Sequence, residues 1–281
     1  MQIPQGLNID KEKYVCKLIK AIYGLRISSK CWEDRLKRDL LSAGLMQSVS
    51  ESCLYYRRET SSITLLITYV DDVLVASNDM DFVNYLFGHL QSSYNIKIYP
   101  DPKVFIGMQI RYEESICHLN QEKYITKMAK MFRLDTGKMY STPMEESLRI
   151  EVSEEINDDP KFRALIGSLL YIARHTRPDI YYAVNKSRHQ GHVTSEIFSY
   201  ARRIGRYVYN TRGKLLPYTS DNSNIVPAFV DAAHATEEGA RSCSGFLIFP
   251  FEKPCSLGNQ TTNTHGTFFN GRYFLQRPRK L

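Results

Sequence analysis

Two adjacent aspartates, Asp71 and Asp72, are the residues whose type and spacing point most directly to chemistry. They lie between two short apolar runs, 63–68 and 73–76, which are rich in β-branched residues and therefore predict paired strands. Two carboxylates at the turn of a hairpin repel each other unless protons or a cation compensate them. Because Mg²⁺ is usually held by one or two carboxylates plus substrate phosphates, the pair fits a two-metal nucleotidyl transferase. The competing interpretation is an ordinary Asp-Asp turn, since aspartate is common in turns.

The elements around the two aspartates predict an α+β fold. Apolar residues at helical spacing indicate a helix over 29–43, with Ser28 or Ser29 as its N-cap, and another helix opening at Asp79. Strand patterns cover residues 52–57, 63–77, 96–99, 104–110 and 116–119. A helix, a hairpin, a second helix and further strands are typical of α+β rather than of alternating βαβ units.

Beyond residue 119 the pattern becomes mainly helical. A helix over 120–133 is expected to place Tyr124, Met128, Met131 and Phe132 on one side. The acidic stretch 141–159 is poor in large apolar residues and indicates a linker. Three further helices are expected to begin at Asp159-Pro160, at Pro178, and at Thr194 or Ser195. Strand patterns return after residue 215, at 226–230 and 243–249.

Composition limits the classes of protein that this chain can be. With 281 residues, of which 43% are apolar, it can fold as one large domain or two modest ones. It has no apolar run long enough to cross a membrane and no secretory signal, so we expect an intracellular protein that is not secreted and has no membrane partner. Its six cysteines form no C-x-x-C pair, and we expect Cys16, Cys31 and Cys53 to be buried, reduced thiols.

The net charge of +7 is distributed unevenly. Residues 160–215 contain eleven Lys and Arg against two acids, whereas 145–159 contain seven acids against one Arg. A basic segment with interleaved tyrosines fits a groove that follows a nucleic-acid backbone, and Arg202, Arg203 and Arg206 are its candidate contacts. The competing interpretation is a solvated basic helix face whose tyrosines belong to the core.

Four ordered sequence blocks resemble the reverse transcriptases of copia-type retrotransposons. The blocks are Cys16–Leu25, the Y-V-D-D signature at 69–72, Phe105–Ile110, and Phe162–Ala173 followed by Thr176–Ile180. The resemblance implies three regions. They are an N-terminally truncated polymerase palm at 1–119, a helical thumb and connection at 120–215, and a truncated RNase H-like α/β segment with a divergent tail at 216–281.

The resemblance also implies roles for the aspartates. Asp71 would be the principal ligand and Asp72 the supporting ligand of two Mg²⁺ ions. In this family a third carboxylate comes from an upstream D-V-x-x-A-F-L-x-G block, which this sequence does not contain. We therefore expect a fragment that is not a competent polymerase by itself. Tyr69 would pack beneath the primer terminus, although a core tyrosine is the alternative.

Other site residues follow from the same resemblance. Gly24 and Arg26 would lie near the incoming nucleotide, although Arg26–Lys30 departs from the family's K-Q-A/S-P-R pattern. Gly107 and Met108 belong to a hairpin that grips the primer in the family, and for Gly107 a packing role is the alternative. Asp231 matches one carboxylate of RNase H, but the family's S-x-E-A-E-Y helix is absent, so we expect no RNase H activity.

The sequence therefore favours three candidate functions. The first is a fragment of an RNA-directed DNA polymerase that uses an RNA or DNA primer–template, deoxynucleotides and Mg²⁺, in a cytoplasmic particle or the nucleus. The second is a decayed or repurposed chain that binds nucleic acid without catalysis. The third is a structural partner of other retrotransposon-encoded proteins. Nucleic-acid binding that weakens as salt rises separates the first two from the third.

Overall fold

The computed structural model describes residues 5–6, 10, 12–22, 24–113, 116–145, 159–188, 194–219, 228–237, 241–248, 256–257 and 271–276. The chain forms two compact units, one within residues 1–101 together with 269–281 and one within 102–268. The elements in chain order are α1 (Ser28–Ser42), β1 (Met46–Gln47), β2 (Leu54–Arg58), β3 (Ile63–Tyr69), β4 (Asp72–Ser77), α2 (Met80–Ser93), β5 (Lys97–Tyr99), β6 (Val104–Phe105), β7 (Met108–Glu113), β8 (Ile116–Asn120), α3 (Glu122–Met131), α4 (Pro160–His175), a 3₁₀ turn (Pro178–Ile180), α5 (Tyr181–Arg188), α6 (Ser195–Asn210), β9 (Leu216–Thr219), β10 (Ala228–Glu237), β11 (Arg241–Ile248), β12 (Ser256–Leu257) and β13 (Gly271–Gln276). The predicted α+β class is confirmed.

The first unit is an antiparallel sheet whose strand order is β1-β2-β3-β4-β13-β5. The two helices, α1 and α2, contribute apolar residues to one cluster with the sheet strands. Its fully buried members include Leu40, Leu66, Val75, Val83 and Leu86. The Asp79 side chain accepts a hydrogen bond from the Phe82 amide, as expected for the predicted N-cap of α2. The core therefore lies under β3 and β4, the strands that carry the two aspartates.

The second unit contains a four-stranded antiparallel sheet, β6-β7-β8-β9, and the helices α3 to α6. The helices share one core, whose completely buried residues include Leu165, Leu169, Ile172, Val184 and Val208. Asp159 caps α4 through the Lys161 amide and Thr194 caps α6 through the Ile197 amide, so both predicted helix starts are confirmed. Strands β10, β11 and β12 form a separate three-stranded antiparallel sheet.

A buried ion-pair network joins the 3₁₀ turn to α6. The Arg177 guanidinium, which is 3% exposed, donates two hydrogen bonds to the Asp179 carboxylate at 2.9 and 2.7 Å. It also donates to the backbone and the hydroxyl of Thr211, and the Tyr207 hydroxyl donates to Asp179. Burial raises the pKa of Asp179, but the hydrogen bonds and charge of Arg177 outweigh it, so this pKa lies below its usual value.

Some predicted details are wrong. The helix expected over 29–43 begins at Ser28, and its N-cap is Ile27, which makes no side-chain cap. In α3, Met128 is buried, but Met131, predicted on the same side, is 65% exposed, because the buried stripe contains Ile125, Met128 and Ala129. Cys31 and Cys53 are exposed and Cys16 is half-buried, and none of these three forms a disulfide. Cys31, for example, lies on the face of α1 opposite to buried Leu40.

No helix in the described ranges combines the length and the apolar character that crossing a membrane requires.

Candidate functional site

The turn between β3 and β4 presents the two aspartates. Tyr69 pairs with Asp72 across the hairpin, so Val70 and Asp71 form a two-residue turn. Val70 has a φ of 53°, which is unusual for a β-branched residue. A positive φ at the first central position alone is the pattern of a type II′ turn, where glycine is the favoured residue. The backbone that carries Asp71 is therefore held in a strained conformation.

Trp32 of α1 holds this turn from the helix side. Its indole N–H donates to the Val70 carbonyl at 2.6 Å. The Trp32 ring packs edge-on against Tyr94, with the ring centroids 5.2 Å apart. The Tyr94 hydroxyl in turn donates to the Asp39 carboxylate, and burial followed by this carboxylate raises the Tyr94 pKa above its usual value. A line of contacts thus connects α1, the end of α2 and the strained turn.

The site is accessible from solvent. Asp71 and Asp72 are half-buried, whereas Tyr69 is 50% exposed and Val70 is 54% exposed. Tyr69 is therefore not a core tyrosine. Two half-exposed carboxylates are oxygen donors of the kind that Mg²⁺ accepts together with substrate phosphates, so they fit part of a magnesium site. Within the described ranges no three residues of the His, Cys, Asp and Glu types are grouped as a metal site.

Strand β13 covers the edge of β4. Residues Gly271–Gln276 pair antiparallel with Ser77–Asp72, and three of them also pair with β5. Asp72 therefore belongs to a strand that has backbone partners on both sides, Tyr69 on β3 and Gln276 on β13. The sequence pattern of residues 271–276 predicted neither a helix nor a strand.

Gly24 and Arg26 lie in the loop before α1. Gly24 has a φ of +93°, a conformation that favours glycine, and Arg26 is exposed. Lys30, one helical turn farther on, forms an ion pair with Asp34 at 3.6 Å. Tyr23, the preceding residue of the predicted block, lies outside the described residues. The Arg26 side chain is therefore accessible to a negatively charged ligand.

Gly107 and Met108 belong to the second unit. Phe105 pairs with Met108, so Ile106 and Gly107 form a two-residue turn in which both φ angles are positive, 48° and 70°. This is the pattern of a type I′ hairpin turn. The Tyr171 hydroxyl of α4 donates to the Ile106 carbonyl, and a Cβ at Gly107 would lie 2.5 Å from that hydroxyl oxygen. Gly107 thus has a packing requirement, and it remains exposed.

The three predicted nucleic-acid contacts on α6 all contact the chain's own residues 132–145. Arg202 donates to the carbonyls that follow α3, and Arg203 forms an ion pair with Glu145 and lies 4.5 Å from the Tyr140 ring centroid. The Arg206 guanidinium lies against Gly137. The carbonyls that Arg202 contacts are those of Phe132 and Arg133, and Arg203 also donates to the Thr142 hydroxyl. These arginines therefore connect α6 to the segment after α3, which the sequence did not indicate.

Asp231 lies on β10, where its backbone is in register with Gly245 of β11. Its side chain lies outside the described residues.

Two structurally important residues were not identified as site residues from the sequence. These residues are Trp32, which contacts the Val70 turn, and Tyr171, which contacts the Ile106–Gly107 turn. Val70 carried a usable signal, because a two-residue hairpin turn without glycine or asparagine implies strain. Tyr171 carried no local signal, since 65 positions separate it from its partner Ile106.

The chain is similar to reverse transcriptases and to the Pol polyproteins of transposons. A family model described as reverse transcriptase (RNA-dependent DNA polymerase) matches residues 1–146. The chain is 30% identical over 263 residues to the retrovirus-related Pol polyprotein from transposon RE1 of Arabidopsis thaliana, which covers 92% of this chain. It is 28% identical over 251 residues to the putative transposon Ty5-1 protein of Saccharomyces cerevisiae, covering 88% of this chain and 82% of that protein.

The coverage of these relatives differs. The chain spans only 18% of the length of the RE1 polyprotein. An uncharacterized mitochondrial protein of Arabidopsis thaliana is 35% identical over 188 residues, which are 66% of this chain and 78% of that protein. No solved structure matches significantly.

Proposed function

Because this chain belongs to the reverse transcriptase (RNA-dependent DNA polymerase) family, in the branch of the copia-type transposon Pol polyproteins, we propose that it contributes the Asp71–Asp72 segment of a two-metal nucleotidyl transferase that synthesises DNA on an RNA template. One observation carries the proposal. The signature's two carboxylates are half-buried at the turn of a hairpin whose alternate residues are buried, and the Trp32 indole contacts that turn.

Each residue at the turn has a role in this proposal. Asp71 is the principal metal ligand and Asp72 the supporting one. Bound Mg²⁺ supplies neutralisation of phosphate charge and activation of the primer hydroxyl. Tyr69, half-exposed beside them, supports the primer terminus from below. Trp32 and the strained Val70 keep the Asp71 carboxylate in one position, which matters because a small displacement of a reacting group costs much of the rate.

Residues outside this turn complete the proposed machinery. Gly24 and the exposed Arg26 contact the incoming deoxynucleotide, and Gly107 and Met108 contact the primer. Residues 1–119 act as palm, 120–215 as thumb and connection with the linker 141–159, and 216–281 as an RNase H-like segment in which Asp231 is vestigial. We further propose that the protein acts inside the cell, in a cytoplasmic particle or the nucleus, and that it associates with other retrotransposon-encoded proteins.

We also propose that the 281-residue polypeptide does not extend a primer by itself. Two-metal sites in this family use a third carboxylate, and this sequence does not contain the D-V-x-x-A-F-L-x-G block that carries it. Residues that act as a unit have large, non-additive effects on the rate. Primer extension measured with the purified chain, Mg²⁺ and all four deoxynucleotides is expected to give no product. Robust Mg²⁺-dependent extension would contradict this part of the proposal.

The metal site is tested without turnover. Isothermal titration measures deoxynucleoside triphosphate binding to the chain on a primer–template whose primer is chain-terminated, with and without Mg²⁺. We expect Mg²⁺ to raise the affinity for the deoxynucleoside triphosphate. Asp71→Asn should reduce this Mg²⁺-dependent increase in affinity by roughly tenfold or more, since a lost carboxylate leaves the charge of the metal and phosphates poorly balanced. Asp81→Asn is the matched control, because Asp81 is an exposed aspartate in the first turn of α2.

The titration also tests the second candidate function, a nucleic-acid-binding remnant without catalysis. The basic character of residues 160–215 favours that candidate independently of the aspartates. The second proposal would replace the first under two conditions. The chain would bind the primer–template strongly and in a salt-dependent way, and neither Mg²⁺ nor Asp71→Asn would change deoxynucleotide binding.

A further inference from the structure

The hairpin turn between β6 and β7 has an unfavourable local sequence. Type I′ turns favour Asn-Gly or Asp-Gly, because both central residues need a positive φ. Here the first central residue is Ile106, a β-branched residue with a φ of 48°. Conformations of this kind persist only where the surroundings over-determine them. The turn is therefore held by contacts from outside the hairpin.

Tyr171 provides such a contact. It projects from α4, and its hydroxyl donates to the Ile106 carbonyl. The ring itself is confined, because Tyr124 packs against it edge-on at 4.8 Å and the His175 ring lies at 4.6 Å, both measured between ring centroids. The His175 Nδ1 atom is also 2.7 Å from the Tyr171 carbonyl oxygen. The hydroxyl therefore has a defined position over the turn.

The helix that carries Tyr171 is itself fixed. Leu169 and Ile172, which lie two positions before and one position after Tyr171 on α4, are completely buried in the helical core of the second unit. The Tyr171 hydroxyl also lies close to Gly107, since a Cβ there would lie 2.5 Å from the hydroxyl oxygen. Only a residue without a side chain fits between the turn and this hydroxyl. The core of the helices thereby sets the position of the turn.

We propose that Tyr171 is the positioning residue of the primer-contacting turn: its hydroxyl holds the Ile106–Gly107 backbone so that the exposed Gly107 and the half-buried Met108 meet the recessed 3′ end of a primer. This role rests on the proposed function, which assigns primer contact to the hairpin. Tyr171 acts only through the backbone of Ile106 and contacts the primer nowhere in this scheme.

The test compares two nucleic acids and two variants of the full chain. Fluorescence anisotropy measures affinity for a primer–template with a recessed 3′ end and for a blunt duplex of equal length. We expect the wild-type chain to prefer the recessed end. Tyr171→Phe keeps the ring and removes the hydrogen bond, and we expect it to lower the preference about two- to tenfold, the range for one neutral hydrogen bond. Affinity for the blunt duplex should not change.

Tyr182→Phe is the matched control, because it removes a hydroxyl from an exposed tyrosine of α5. It should leave both affinities unchanged. An unchanged preference in Tyr171→Phe would overturn the positioning role and leave the proposed function intact. A wild-type chain without salt-dependent binding to either nucleic acid would instead overturn the proposed function, and the positioning role with it.

A double-mutant cycle tests the geometry independently of nucleic acid. Gly107→Ala places a methyl group against the Tyr171 hydroxyl, and Tyr171→Phe removes the obstructing oxygen. Gly107→Ala should therefore lower the urea midpoint more in the wild-type background than in the Tyr171→Phe background. The backbone strain that alanine causes at position 107 is the same in both backgrounds, so it cancels when the two losses are compared. Equal losses in the two backgrounds would show that the hydroxyl does not lie over the turn, and would overturn the proposal.

Discussion

Val70 combines a β-branched side chain with a backbone conformation that favours glycine. Its φ of 53° lies where β-branched side chains are outliers, and the Trp32 indole donates to its carbonyl at 2.6 Å. Strain of this kind costs on the order of 1–3 kcal/mol and is compensated by the surrounding structure. It is concentrated at the residue that immediately precedes Asp71.

The strain predicts that glycine at position 70 stabilises the fold more than alanine does. Glycine normally lowers stability relative to alanine, but here Val70→Gly should be more stable than Val70→Ala by about 1 kcal/mol, because only glycine adopts a positive φ without penalty. Urea denaturation of the two variants measures the difference. If Val70→Ala is the more stable variant, the turn does not have the strained geometry described above.

Asp179 gives a second prediction at the scale of single residues. Its pKa is lowered in the folded protein, so its ionised form stabilises the fold above the unfolded pKa, and this contribution is lost as the pH falls through the lower folded pKa. Asp179→Asn should cost about 2 kcal/mol at pH 7, below the roughly 3–5 kcal/mol of a fully buried pair, because part of the carboxylate is exposed.

The measurement is urea denaturation of the wild-type chain and Asp179→Asn at several pH values. The difference in unfolding free energy should be constant above about pH 5 and should narrow below about pH 4, where the unfolded carboxyl begins to bind protons. Asp135→Asn serves as a control for an exposed aspartate of the same unit. A difference that grows on acidification would contradict the lowered pKa.

At the scale of elements, α3 and α6 use their basic residues differently. The α6 arginines contact residues 132–145, and only 17% of the Arg203 side chain is exposed. In α3, Lys123, Lys127 and Lys130 are all exposed and follow the i, i+4, i+7 spacing of one helix face. Removing one charge from each helix therefore tests two different functions of a basic residue.

Arg203→Gln should lower the free energy of unfolding by about 1 kcal/mol, because it removes an ion pair and a cation–π contact. Lys127→Gln should leave stability unchanged and, if α3 faces nucleic acid, reduce the slope of log affinity against log salt by about one. Urea denaturation and anisotropy at several salt concentrations provide both values. A larger loss of affinity in Arg203→Gln, with both variants fully folded, would instead favour the contacts predicted on α6.

Elements with local signals were predicted well. Asp79, Asp159 and Thr194 each cap a helix as expected, because an N-cap depends only on residues two or three positions away. The buried residues of α6, which include Ile197, Ala201 and Val208, follow the helical period. The stripe of α3 was less accurate, because Met131 at the last turn faces solvent while the preceding residues pack inward.

At the scale of the whole molecule, the missing information was non-local. The Y-V-D-D hairpin and the family could be identified from ordered motifs, because each motif is continuous in sequence. The contact of Tyr171 with Ile106 and the pairing of β13 with β4 join distant segments whose own sequences contain no sign of the partner. The division into two units includes such a case, since β13 belongs to the unit formed mainly by residues before 102.

The pairing of β13 has a consequence for the timing of biosynthesis. Ribosomes add roughly 5–20 residues per second, so β4 and β5 emerge roughly 10–40 s before the strand that lies between them. During that interval the facing edges of both strands have unsatisfied backbone groups, which can pair with other nascent chains. The sheet that carries Asp72 is therefore completed by a strand that is translated after the second unit.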